Sequence, residues 1–101
     1  MPRIPTHRAP TPPGEVLLHE FIEPNGLTQA EVARATGISF QRLNGVVNGH
    51  RKITPSTALR LSRYFGTTAD LWMNLQIAVD TYETLQAERP QIEAIQPLLD
   101  A

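Results

Sequence analysis

Between Thr28 and Gly49 the sequence has room for two short helices and almost nothing between them. Thr28 opens T-x-x-E with Glu31, a capping box in which hydroxyl and carboxylate satisfy the first free amides of a helix. That helix carries Ala30, Val32 and Ala33 and is expected to stop near Gly37, where a left-handed cap suits glycine. A few residues on, Ser39 caps a second helix with Leu43, Val46 and Val47 inward, and Asn48-Gly49 ends it. Two helices joined this closely must cross at a steep angle, and Ala33 is small enough to let the second approach the first.

The flanking segments extend this unit into an all-α domain. Five prolines among the first thirteen residues predict an extended arm over residues 1–13. From Gly14, Val16, Leu17, Phe21 and Ile22 recur at helical spacing until Pro24-Asn25-Gly26 breaks the run. Thr54-Pro55 starts a fourth helix, with Ala58, Leu59, Leu61 and Phe65 on its inner side and Gly66 at its end. Thr67 or Thr68 caps a long last helix through Leu71, Trp72, Leu75, Val79, Tyr82 and Leu85, expected to run to about Glu88, because Pro90 disfavours helix before it. No segment alternates with a period of two. The expected architecture is an all-α five-helix bundle over residues 14–88 with a long last helix, followed by an acidic tail over 89–101.

Charge is divided along the chain. Residues 32–69 hold Arg34, Arg42, Arg51, Lys52, Arg60 and Arg63 and no acid, whereas residues 70–101 hold Arg89 against Asp70, Asp80, Glu83, Glu88, Glu93 and Asp100. A phosphate backbone is attracted to the first stretch and repelled by the second. At 101 residues the chain suits one domain and is too short for a (β/α)₈ barrel of about 250. The absence of cysteine excludes disulfides and thiolate metal sites, and His7, His19 and His50 have no ligand spacing, so neither metal nor cofactor is expected. No apolar run approaches the ~20 residues of a membrane helix and no basic-then-apolar leader opens the chain; a cytoplasmic domain without membrane contact is expected.

The chemistry lies on the front of the second helix of the close pair, which is free to enter a major groove. Its expected exposed positions are Ser39, Phe40, Gln41, Arg42, Asn44 and Gly45, with Asn48 at its end. Gln and Asn hydrogen-bond base edges in two places at once, and Arg pairs with guanine or phosphate. Gln29 would face the backbone from the first turn of the preceding helix. Arg51 and Lys52, just beyond the groove-facing helix, read as phosphate contacts.

The stretch GLTQAEVARATGISFQRLNGVVNGHRKIT resembles the helix-turn-helix of the Cro/C1-repressor (XRE-like) type. With PGEVLLHEF before it and ITPSTALRLSRYFGTTADLWMNLQ after it, residues 13–80 are similar to the HigA-type antitoxins of bacterial toxin–antitoxin pairs. The resemblance implies a five-helix repressor-like fold, a homodimer on a palindromic operator and neutralisation of a small basic RNA-cleaving toxin of the HigB kind. By motif, Gln29 falls where the family grips phosphate, and Phe40, Gln41 and Gly45 where it reads bases. Phe40 offers only apolar contact and Gly45 no side chain, so Gln41, Arg42 and Asn44 would supply most of the direct readout.

Trp72, Leu75, Tyr82 and Leu85 on the last helix form the most available seam for joining two subunits. A toxin needs surface away from the groove. The arm with the first helix offers Arg3, Ile4, His7, Arg8, Leu18 and Ile22; the acidic tail is the competing surface. Two other classes remain: a stand-alone phage-type or metabolic repressor, and a protein-binding adaptor without DNA affinity. An enzyme could be drawn from His19 with Glu15, Glu20 and Glu23, but the chain has no phosphate loop or nucleophile motif to accompany them.

Overall fold

The structure is a computed structural model that describes residues 8–99, and every regular element among them is helical. Helix α1 begins as Pro13–Val16 and continues without a break into a π-helical stretch, Leu17–Ile22. It is followed by α2 (Gln29–Thr36), α3 (Phe40–Val47), α4 (Pro55–Phe65) and α5 (Ala69–Glu93). Proline stands at the start of both α1 and α4, where its missing N–H costs nothing. Thr28, Ser39, Thr54 and Thr68 each accept a backbone N–H three residues on, so all four hydroxyl caps expected from the sequence form.

Burial corrects several details of the expected core. Leu17, Val32, Leu43, Ala58, Leu61 and Trp72 are sealed, and Ile38 and Ile53, from the connections either side of α3, join them. Ala30 lies exposed, and Leu59 is 61% exposed, because it stands between Ala58 and Leu61 on the far side of α4. In α1 the wide turn donates the Glu23 N–H to the Leu18 carbonyl, five residues back. Leu17 and Ile22 are also five apart, and the widened turn lets both face the core.

Phe21 joins α1 to the rest of the bundle through Phe65 and Trp72, with ring centroids 5.2 and 5.1 Å away. Such tilted pairs contribute about 0.5–1.5 kcal/mol each beyond the area they bury. The Trp72 indole N–H donates to the Thr67 hydroxyl at 2.9 Å, which leaves that polar group satisfied. Helix α5 does not stop at Glu88. The backbone leaves helical geometry there (φ −120°, ψ 17°) and resumes through Pro90 to Glu93. Pro90 thereby sits in the opening turn of a second segment, where proline is tolerated, instead of ending the first.

Helix α1 crosses α3 and α5, α2 packs on α3 and α4, and α4 on α5. The α1–α3 crossing depends on Gly14, which is buried. A methyl group there would meet the carbonyl oxygens of Val46 and Val47, the latter at 2.7 Å, and the Val47 Cα at 2.9 Å. These are backbone atoms at the end of α3 and cannot turn aside. Gly14→Ala is therefore expected to destabilise the domain by about 1–3 kcal/mol, the usual cost of overpacking, read as a lower urea midpoint with an unchanged slope.

Candidate nucleic-acid interface

Helices α2 and α3 meet at Gly37, which adopts a left-handed φ of 75°. The end of α2 is closed from two sides. The Thr36 hydroxyl donates to the Val32 carbonyl at 2.7 Å and accepts the Ile38 N–H at 3.3 Å. From α4, the Arg60 guanidinium donates to the Thr36 carbonyl at 2.9 Å and to the Ser56 hydroxyl at 3.3 Å. A cation on the last carbonyls also opposes the helix dipole. Arg60 thus ties the turn between α2 and α3 to the bundle, a role its outward position in the sequence pattern conceals.

Helix α3 turns Leu43 and Val46 into the core and Phe40, Gln41 and Asn48 out to solvent. Phe40 is 49% exposed, a large apolar ring left uncovered at the start of the helix. Ser39 spends its hydroxyl on the Arg42 N–H at 3.2 Å, and Arg42 is half-buried. Asn44 is half-buried too and links the two helices. Its amide N–H donates to the Gln29 side-chain oxygen at 3.0 Å, and its own oxygen accepts from the Asn48 amide at 3.1 Å. This relay orients Gln29 at the first turn of α2, its NH₂ group unengaged among the described residues, where unpaired backbone amides also favour an anion.

Beyond α3, Gly49 turns back with φ 77°, and the Gly45 carbonyl accepts the N–H groups of both His50 and Arg51 at 2.8 and 3.1 Å. Gly45 is buried, so its expected place as an open groove-facing position is corrected: the stem of Arg51 covers it. Arg51 and Lys52 are exposed as expected, but Lys52 pairs with Asp80 of α5 at 3.1 Å. Asp80 in turn accepts from the buried Gln76 at 3.0 Å, and the Gln76 oxygen accepts the Ile53 N–H at 2.8 Å. The basic loop is thereby anchored on α5 through residues that no local sequence pattern marks.

Two further expectations need correction. Trp72 is 0% exposed at the centre of its own core and cannot serve a subunit seam; Leu75 packs against that core, while Tyr82 and Leu85 stay partly open. Ile22 is 2% exposed and can meet no partner without opening the bundle, because the π turn faces it inward. Leu18 is half-buried against the core and Arg8 is exposed, whereas Arg3, Ile4 and His7 lie outside the described residues. His19 and Glu23 meet at 2.9 Å on the exposed side of α1, an ordinary pair one turn apart.

The profile of the Helix-turn-helix family matches residues 18–72. Among curated proteins, antitoxin HigA-1 of Vibrio cholerae is 33% identical over 92% of this chain and 88% of its own length. The solved Pseudomonas aeruginosa antitoxin HigA with the higBA promoter is 40% identical, with a TM-score of 0.83 over 89% of this chain and 99% of that one. Antitoxin GraA in complex with its operator superposes with a TM-score of 0.84 at 31% identity, over 97% of this chain and all of the other.

The start of α2 carries a titratable group of its own. The Thr28 N–H donates to the Glu31 carboxylate at 2.9 Å and the Thr28 hydroxyl accepts the Glu31 N–H at 3.1 Å. The Thr28 backbone N–H first, then the Thr28 side chain acting on the same carboxylate, hold the carboxyl below its ordinary value of 4.5, against desolvation and with help from Arg34. A carboxyl lowered on folding adds stability that is present above its unfolded value and is lost as pH falls through the folded one. Glu31→Gln, a neutral mimic of the protonated group, should therefore be less stable than the wild type near pH 7. Urea titrations at descending pH should show that gap closing below pH 4.5.

Proposed function

Because the chain belongs to the helix-turn-helix family, in its HigA-type antitoxin branch, we propose that it binds a palindromic operator in its own promoter as a homodimer, represses its operon and neutralises a small basic RNA-cleaving toxin. It is a regulator and not an enzyme. The DNA-binding reading rests foremost on α3, which is sealed on one side by Leu43 and Val46 and presents Phe40, Gln41 and Asn48 on the other. Relatives of the same fold have been solved with promoter or operator DNA. Gln41 suits direct readout of a base edge, Gln29 suits a phosphate, and Phe40 suits a thymine methyl.

One such helix makes too few contacts for specific binding, and two related by a dyad double them at half-sites about 34 Å apart. Tyr82 and Leu85, on the part of α5 that leaves the bundle, favour a subunit seam there. For the toxin, Arg8 of the arm and Leu18 of α1 belong to neither α2 nor α3, and prolines reduce the entropy a segment loses on docking.

Three measurements test this reading. With the duplex directly upstream of its gene, the protein should sediment as a dimer and prefer that duplex to a scrambled one; no preference would leave the adaptor reading. Gln41→Ala should lower the preference by about 1–3 kcal/mol. Asn44→Ala, which releases Gln29, should weaken both duplexes alike. On co-expression with the product of the adjacent reading frame, deletion of residues 1–12 should abolish growth rescue while operator binding persists. If that deletion still rescues and a chain ending at Glu88 does not, the acidic tail is the inhibitor.

A further inference from the structure

Gly45 stands one turn after the exposed Gln41 and three residues before the exposed Asn48, on the side of α3 that faces away from Leu43 and Val46. It is nevertheless buried, and the core is not what buries it. The point where a Cβ of residue 45 would stand lies 2.7 Å from the Arg51 Cγ, 2.9 Å from its Cδ and 3.3 Å from its Cβ. The Arg51 stem therefore runs across the outward face of α3, through space that any side chain at position 45 would fill. The loop holds it there, since both the His50 and the Arg51 N–H return to the Gly45 carbonyl.

The head of Arg51 is also uncommitted. Among the described residues Lys52 is paired with Asp80 and Arg60 is bonded to Thr36 and Ser56, but the Arg51 guanidinium has no ion pair or hydrogen bond. A fixed stem with a free planar fork loses less entropy on binding than a fully mobile side chain. Arginine is the side chain that matches the O6 and N7 acceptors of guanine with two parallel hydrogen bonds.

We propose that Arg51 is a specificity-determining residue, which passes over Gly45 into the major groove and reads a guanine edge beside Gln41, in place of the side chain that position 45 lacks. This rests on the DNA-binding reading above and changes the role of Arg51 within it from phosphate contact to base contact. Gly45 is then a positioning residue, required because it leaves room for the stem.

The test uses the full chain, the duplex directly upstream of its gene, a scrambled duplex of equal composition, and the upstream duplex with 7-deazaguanine, which lacks N7, replacing guanine. Arg51→Ala should reduce the preference for the upstream duplex by about tenfold or more. Arg51→Lys should not restore it, because an ammonium has no fork. The deaza duplex should weaken the wild type and leave Arg51→Ala nearly unaffected. Gly45→Ala should reproduce the loss of preference with its helical signal and melting transition retained; should it unfold, the two Arg51 variants carry the test. Equal weakening of both duplexes by Arg51→Ala would make Arg51 a phosphate contact and overturn the proposal while sparing DNA binding. A wild type without any preference overturns both.

Discussion

A short helix is mostly ends. Helices α2 and α3 have eight residues each, and every α-helix leaves its first four N–H and last four C=O groups without a partner inside it. The rest of the architecture depends on how those groups are satisfied. Threonine or serine hydroxyls close the starts of α2, α3, α4 and α5, and left-handed glycines close the ends of α2 and α4. Arg60 reaches from α4 to the last carbonyl of α2. With the ends capped, α2 and α3 can lie against each other with only Gly37, Ile38 and Ser39 between them, and the outer face of α3 is held at a defined angle to the bundle.

What was legible in the sequence follows from the range of the interaction involved. Capping and glycine turns act over three or four residues, so Thr28, Ser39, Thr54 and Gly66 announce themselves. The π turn of α1 does not, because its cause is the joint burial of Leu17 and Ile22 against other helices. Ile38 and Ile53 were missed as core residues because they sit in connections, outside any periodic stripe. The helix beyond Glu88 escaped because proline reads as a stop unless the backbone has already bent ahead of it. Within the site, the exposure of Phe40, Gln41 and Asn48 follows from the helical wheel alone. The burial of Gly45 could not, since it depends on where a loop carries Arg51 six residues later.

The division of charge along the chain also has a structural counterpart. The basic loop after α3 and the acidic α5 touch at Lys52 and Asp80, with Gln76 behind them holding the Ile53 amide. An exposed pair of this kind contributes little to stability, about 0–1 kcal/mol. The buried hydrogen bond from Gln76 matters more, because an unsatisfied Ile53 N–H would cost about 1–3 kcal/mol. The acidic helix thus supports the basic loop mainly through a neutral side chain.

The projecting end of α5 has a consequence for how the protein melts. The chain measures 51 by 22 by 21 Å, and its radius of gyration of 16.2 Å exceeds the roughly 13 Å of a compact 100-residue domain. Past Leu85, Ile92 near the end of α5 and Ile95, Leu98 and Leu99 beyond it are uncovered. A helical segment shorter than about 12–15 residues is marginal on its own in water, so this end cannot share fully in the cooperative unfolding of the core. It is the part of the chain expected to fray first, at temperatures where the bundle around Trp72 is still closed.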